Sequence, residues 1–192
     1  MFLDKDGTLL TDVAYNVDPR RMRLAPGGRA ALTILGSTGM PLIVVSNQAG
    51  VAHGRFTEAA LKPVELKLAR LFADCGARLA AFLYCPHHPD GSVRDYAVAC
   101  DCRKPAAGML KRAAAELNID LASSWMVGDI LDDVEAGRQA GCTTILVDNG
   151  NETEWRRSAL REPHFSVAGI DEAARLISAH IRTRPALEAR VG

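Results

Sequence analysis

Short apolar runs alternate with longer stretches of helical period along most of this chain. The runs at residues 1–3, 42–45, 81–84, 125–127 and 144–147 are almost wholly apolar, which predicts buried strands. A sixth run at 165–167 is expected to form an edge strand. Between them, apolar residues recur at three- and four-residue spacing over 27–35, 58–75, 106–117, 132–140 and 171–181, which predicts helices. Pro63 falls inside the second of these, where its missing N–H must kink or restart the helix. The alternation predicts an α/β fold, a doubly wound, mostly parallel, Rossmann-like sheet. A single domain is expected over residues 1–182, with a frayed tail at 183–192, where Pro185 and the charges offer little to bury.

Composition narrows the partners. The 192 residues show no fibrous or disordered bias and can bury one substantial core. Lys and Arg total 23, as do Asp and Glu, so no basic field is present to hold a nucleic acid or an anionic membrane. A small-molecule partner and a monomer are expected. The longest apolar stretches, such as 41–45, are too short to cross a bilayer, and Asp4 interrupts the opening Met1-Phe2-Leu3 before it can act as a secretory signal. A cytoplasmic location follows as the expectation. Five cysteines, three of them close together, suit reduced thiols and a metal better than a disulfide framework.

Ligands of such sheets sit outside the carboxyl ends of the strands, and the residues there carry the chemistry. After the first strand comes Asp4-Lys5-Asp6-Gly7-Thr8. Its first carboxylate can attack phosphorus and become an aspartyl phosphate, and Asp6 can protonate the leaving oxygen and then deprotonate water. Phosphoryl transfer otherwise needs mainly charge compensation. Ser46 offers a hydroxyl, the N–H groups of Asn47, Gln48, Ala49 and Gly50 could cradle phosphate oxygens, and Lys104 could hold phosphate at the positive end of the 106–117 helix. Asp129 could join Asp4 and the carbonyl of Asp6 around magnesium. Taken singly, Ser46 could be a strand-end cap, Lys104 a solvated cation and Asp129 a carboxylate favoured at a helix start; their convergence on one rim argues for a site. Asp132 and Asp133 are expected to be helix-start residues or to support the site's ligands from behind.

Cys85-Pro86-His87 and Cys100-Asp101-Cys102 pair three thiols and one imidazole on two short knuckles. The set matches a closed tetrahedral zinc site, structural because no position stays open for water. The intervening segment has little apolar content, and a metal would supply the missing order. His88 is the alternative ligand to His87. Cys75 and Cys142 are expected to be small buried hydrophobes. His53, His164 and His180 are expected to be surface or packing residues without special partners.

The motifs Asp4-Lys5-Asp6-Gly7-Thr8, Ser46-Asn47-Gln48, Arg103-Lys104-Pro105 and Gly128-Asp129 resemble the four ordered motifs of the haloacid dehalogenase superfamily of phosphatases. The two knuckles are similar to those of its heptose bisphosphate phosphatase branch, whose close relative is histidinol phosphatase. The resemblance runs from Phe2 to about Val147. It implies a haloacid dehalogenase-like core without a large cap domain, a zinc-stabilised loop over 85–102, and a magnesium-dependent phosphatase acting on a sugar phosphate for surface polysaccharide. By position it gives Asp4 as nucleophile, Asp6 as proton donor, Ser46 and Lys104 as phosphate stabilisers, Arg103 as a substrate contact and Asp129 as a magnesium ligand. It also implies Asp12 and Tyr15 in a substrate loop, and Cys85, His87, Cys100 and Cys102 as zinc ligands. Lys5 replaces a frequent arginine, expected to matter little because that side chain should point away from phosphorus. Ser46 stands for a frequent threonine, and Ile130 occupies a position where some members carry a substrate-touching lysine. Histidinol phosphatase, with a shorter zinc insertion, is the second reading, and a catalytically silent zinc-stabilised binding module the third.

Overall fold

The computed structural model describes residues 1–188, with side chains as far as Thr183. Six strands form one sheet: β1 (Phe2–Asp4), β2 (Leu42–Asn47), β3 (Leu79–Cys85), β4 (Trp125–Gly128), β5 (Thr143–Val147) and β6 (Phe165–Val167). Every pairing is parallel and the order is β3-β2-β1-β4-β5-β6. The five helices are α1 (Gly28–Gly36), α2 (Leu61–Ala73), α3 (Gly108–Leu117), α4 (Leu131–Ala140) and α5 (Ile170–Glu188).

Two cores sandwich the sheet, because successive strand residues point to opposite faces. Leu3, Val44, Val127, Ile145 and Val147 pack with Leu32 and Leu35 of α1, Leu68 and Phe72 of α2, and Ile177 of α5. Phe2, Ile43, Val45 and Met126 pack on the other face with Met109, Leu110 and Ala113 of α3 and Ala136 of α4. Strands covered on both faces are apolar throughout, which explains the unbroken runs in the sequence.

Several boundaries differ from expectation. A 3-10 turn at Glu58–Ala60 precedes α2, so Pro63 lies in the first turn of a restarted helix, where its missing N–H breaks no bond. α3 begins at Gly108, not 106. β2 and β3 each reach further, bringing Ser46, Asn47 and Cys85 into the strands. α5 continues past residue 181 to Glu188 and makes helix of residues expected to fray; its packed turns nucleate it, and each added residue then extends it cheaply. Residues 189–192 lie outside the described part. Above the carboxyl edge of the sheet stand loops at 5–27, 48–60, 86–107 and 148–164.

Candidate active site

β1 ends on Asp4 and the adjacent β4 on Gly128, at the point where the strand order changes direction, the usual place for a ligand crevice. Asp4, Asp129 and Asp133 each bring one buried carboxylate oxygen within 4.8 Å of the others. Lys104 is inserted among them with its side chain 2% exposed. Its Nζ donates to Asp4 Oδ1 at 2.5 Å and to the Val45 carbonyl at 3.2 Å, and pairs with Asp133 Oδ1 at 2.6 Å.

Three carboxylates against one ammonium leave net negative charge in a buried place. Burial pushes Asp4 up to about 7; Lys104 offsets part of the rise and the charge of Asp133 adds to it. Asp129 is pushed up to about 6, by burial first and then by the charge of Asp4. A hard divalent cation suits this surplus charge and all-oxygen donor set, and magnesium fits it.

Lys104 therefore does not sit at the mouth of a helix. It precedes the start of α3, and the Asn47 side chain fixes its backbone: Asn47 Nδ2 donates to the Lys104 carbonyl and Lys104 N–H donates to Asn47 Oδ1, both at 3.0 Å. The side-chain amide of Asn47, expected at the substrate, is thus engaged in holding Lys104. The N–H of Gln48 is likewise taken, by the Cys85 carbonyl at 2.7 Å.

Asp6 points its carboxylate elsewhere. Its Oδ1 accepts Lys5 Nζ at 2.6 Å and its Oδ2 accepts Gln48 Nε2 at 3.1 Å. Gln48 Nε2 also donates to Ser46 Oγ at 2.8 Å, which joins the buried hydroxyl to the second carboxylate. Lys5 is only 2% exposed, and in the tight turn of Asp4-Lys5-Asp6 its ammonium has a carboxylate next to it. The side chain of Asp6 is not part of the three-acid group, which leaves its backbone carbonyl as what it could offer a metal.

Both oxygens of Asp129 are held, Oδ1 by Thr8 Oγ1 at 2.8 Å and Oδ2 by Asn151 Nδ2 at 2.7 Å. Gly7 adopts φ 86 here, and a Cβ on it would fall on the Asp129 carboxylate, so both its conformation and its lack of a side chain are required.

The rim is aromatic and basic. Tyr15 is 53% exposed, meets His53 edge-on at 6.4 Å and lies under the Arg55 guanidinium at 5.6 Å. His53 in turn contacts His88 at 4.7 Å. Arg103 carries a buried Nη1 with no hydrogen-bond partner among the described residues. Asp12 is exposed on the loop that carries Tyr15.

The four knuckle residues converge. The Sγ atoms of Cys85, Cys100 and Cys102 lie 3.1, 3.3 and 3.5 Å apart, and His87 Nδ1 is 3.4 Å from Cys102 Sγ and 3.8 Å from Cys85 Sγ. Zinc–sulfur bonds of about 2.3 Å make a tetrahedron with edges of roughly 3.8 Å, close to this spacing. Burial raises the Cys85 and Cys102 thiols, so a cation would be needed to hold them as thiolates. His88 is turned away, its Nδ1 accepting the Asp90 N–H at 3.2 Å. The loop also has an anchor that the sequence did not disclose: Glu58 accepts Tyr96 Oη at 2.8 Å and Tyr84 Oη at 3.1 Å.

Sequence reasoning missed Lys5, Asn151 and Glu58 as residues of the site. Asp133 turns into the acid group and pairs with Lys104, whereas Asp132 faces outward to Arg161 at 2.6 Å. The other histidines do have partners: His164 Nδ1 accepts the Thr144 N–H at 3.0 Å, and His180 packs edge-on against Trp125 at 5.3 Å. Cys75 and Cys142 are buried as expected. No described helix is long and apolar enough to cross a membrane.

Residues 101–173 match the HAD-hydrolase-like family. The chain is 41% identical over 151 residues, 78% of its length and 80% of the relative's, to the D-glycero-beta-D-manno-heptose-1,7-bisphosphate 7-phosphatase of Yersinia pestis. The chain belongs to the haloacid dehalogenase-like hydrolases. The Escherichia coli K12 member of that phosphatase group is 39% identical over 171 residues, 84% of this chain and 90% of the relative. Among solved haloacid dehalogenase-like structures, the D,D-heptose 1,7-bisphosphate phosphatase from B. bronchiseptica, complexed with magnesium and phosphate, is similar with a TM-score of 0.79 and 31% identity over 94% of this chain and 98% of that one.

Proposed function

We propose that this chain removes the 7-phosphate of D-glycero-D-manno-heptose 1,7-bisphosphate through an aspartyl phosphate on Asp4. One observation carries the reading: a buried aspartate at the end of the central strand, paired with Lys104 at 2.5 Å from 100 residues away, in a chain whose relatives are named for this reaction. Those relatives are named for the β anomer, so the β sugar is the expected substrate.

An oxygen of Asp4 attacks phosphorus while the bond to the sugar oxygen breaks, and Asp6 delivers the proton that this oxygen needs. Asp6 then takes a proton from water, whose oxygen attacks the same phosphorus and frees Asp4 and inorganic phosphate. Lys104 and Ser46 face the charge on the transferring group, and Asp133 keeps Lys104 aimed at Asp4. Asp4, Asp129 and the Asp6 carbonyl would hold magnesium, which when bound neutralises charge on the phosphoryl oxygens. Cys85, His87, Cys100 and Cys102 would hold a structural zinc directly before Arg103 and Lys104. The unpartnered Nη1 of Arg103 supports its role as a substrate contact, and Asp12 and Tyr15 supply the exposed wall opposite. The product serves the making of activated heptose for surface polysaccharide.

The test is phosphate release with magnesium from both anomers of the bisphosphate, beside histidinol phosphate, with Asp4→Asn as the blank. Fast release from the β anomer and a loss of several orders of magnitude in Asp4→Asn are expected. Release from histidinol phosphate alone would move the chain to that substrate, and an active Asp4→Asn would sink the mechanism.

A further inference from the structure

The loop after β5 reaches toward the acid cluster with its own side chains and touches Asp129 and two backbone groups beside it. Asn149 Nδ2 donates to the Gly7 carbonyl at 2.8 Å, behind β1. Asn151 Nδ2 donates to Asp129 Oδ2 at 2.7 Å, behind β4. Glu152 Oε2 accepts the N–H of Leu131, the first residue of α4, at 2.7 Å. The loop is stiffened internally, the Asn151 N–H donating to Asn149 Oδ1 at 3.2 Å and the Glu154 N–H to Glu152 Oε1 at 2.8 Å.

Asn149 and Asn151 are exposed residues, so water could satisfy their amides and no burial penalty compels these bonds. Their direction is what they have in common, since each ends on a residue that borders Asp129 or on Asp129 itself. A carboxylate on one rotatable bond turns freely unless both of its oxygens are held. Thr8 holds Oδ1 and Asn151 holds Oδ2, which fixes the plane of the group. The Asn151 amide also places a donor against a carboxylate raised by burial and by the charge of Asp4. The approach depends on Gly7, where a Cβ would come within 2.6 Å of Asn151 Nδ2.

We propose that Asn151 is a positioning residue for the cation of the acid cluster: it holds Asp129 in the rotation that presents an oxygen to the metal, with Asn149 and Glu152 fixing the loop from which it reaches. The inference rests on the proposed reading of Asp4 and Asp129 as magnesium ligands. Hydrogen-bond partners of metal ligands commonly change metal affinity 10–100-fold, and an effect of about that size is expected here.

The experiment is magnesium titration by calorimetry of the purified, zinc-loaded full chain, comparing wild type, Asn151→Ala and Asp129→Asn, with zinc content and the magnesium-free unfolding temperature recorded for each. Asn151→Ala is expected to raise the magnesium dissociation constant about 10–100-fold with zinc content unchanged, while Asp129→Asn loses the binding. Wild-type affinity in Asn151→Ala, beside loss in Asp129→Asn, would overturn the inference and leave the reading of the site intact. Undiminished binding in Asp129→Asn would overturn both.

Discussion

Lys104 is the one cation set among three buried acids, and its removal should be felt first as stability. Taking away one partner of a buried ion pair leaves the other charge stranded, at a cost of about 3–5 kcal/mol. Urea unfolding of magnesium-free Lys104→Met at about pH 8 is expected to show a loss of that order, and a smaller one near pH 5.5, where Asp4 can neutralise itself by taking a proton. A loss below about 1 kcal/mol at the higher pH would contradict the charge arrangement described here. Lys5 predicts a different outcome. Because it holds the carboxylate of Asp6, the proposed acid/base, Lys5→Met should lower kcat by about 10–100-fold, a fraction of what acid–base catalysis contributes, and Lys5→Arg should keep most of the rate; equal rates in all three would show that the contact is idle. The motif residues themselves could be read from the sequence because each motif is short. Their pairings could not: Thr8 meets Asp129 across 121 positions, and Asn151 meets it across 22. The contact of Lys5 with Asp6 could not be read either, because the direction of its side chain depends on the turn geometry, which spacing does not reveal.

Strands and helices were legible where burial on both faces produced unbroken apolar runs, as in β2, β4 and β5. Boundaries were less so, since the start of α3 depends on how Lys104 is held by Asn47 before the helix begins, and the length of α5 on packing against α1. The loop that carries the cysteine knuckles joins both lessons. Its ligand spacing was visible, whereas its second tether, Glu58 bridging Tyr84 and Tyr96, joins residues far apart in sequence. Two attachments predict a graded response. Purified protein should contain about one zinc per chain by elemental analysis, and Cys100→Ala should speed amide exchange over residues 97–104 more than over 92–96, with activity falling as Arg103 and Lys104 lose their placement. Uniform exchange along the whole loop would argue that Glu58 holds nothing, and protein purified without zinc would refute the metal site.

For the molecule as a whole, the acid cluster ties stability to pH. Asp4 and Asp129 hold protons more tightly folded than unfolded, with values raised from 3.8 to about 7 and about 6. Their contribution to stability is therefore complete below 3.8 and is lost as pH climbs through 6 and 7 in magnesium-free protein. Magnesium competes with those protons, so the rise in unfolding temperature that it produces should grow between about pH 5.5 and pH 8. A magnesium effect that is flat across that range, measured by calorimetry at fixed salt, would show that the carboxylates do not titrate with the metal. The strand order has a consequence for how the protein is made. β1 carries Asp4 at the amino-terminal end of the chain, yet one of its two edges is completed only by β4. During synthesis β1 must wait, with one edge unpaired, until Trp125–Gly128 and then Asp133 have left the ribosome. A nascent chain halted before that point has Asp4 and Lys104 but lacks two of the three acids, so no such shortened product should show partial activity: the site is finished late and all at once.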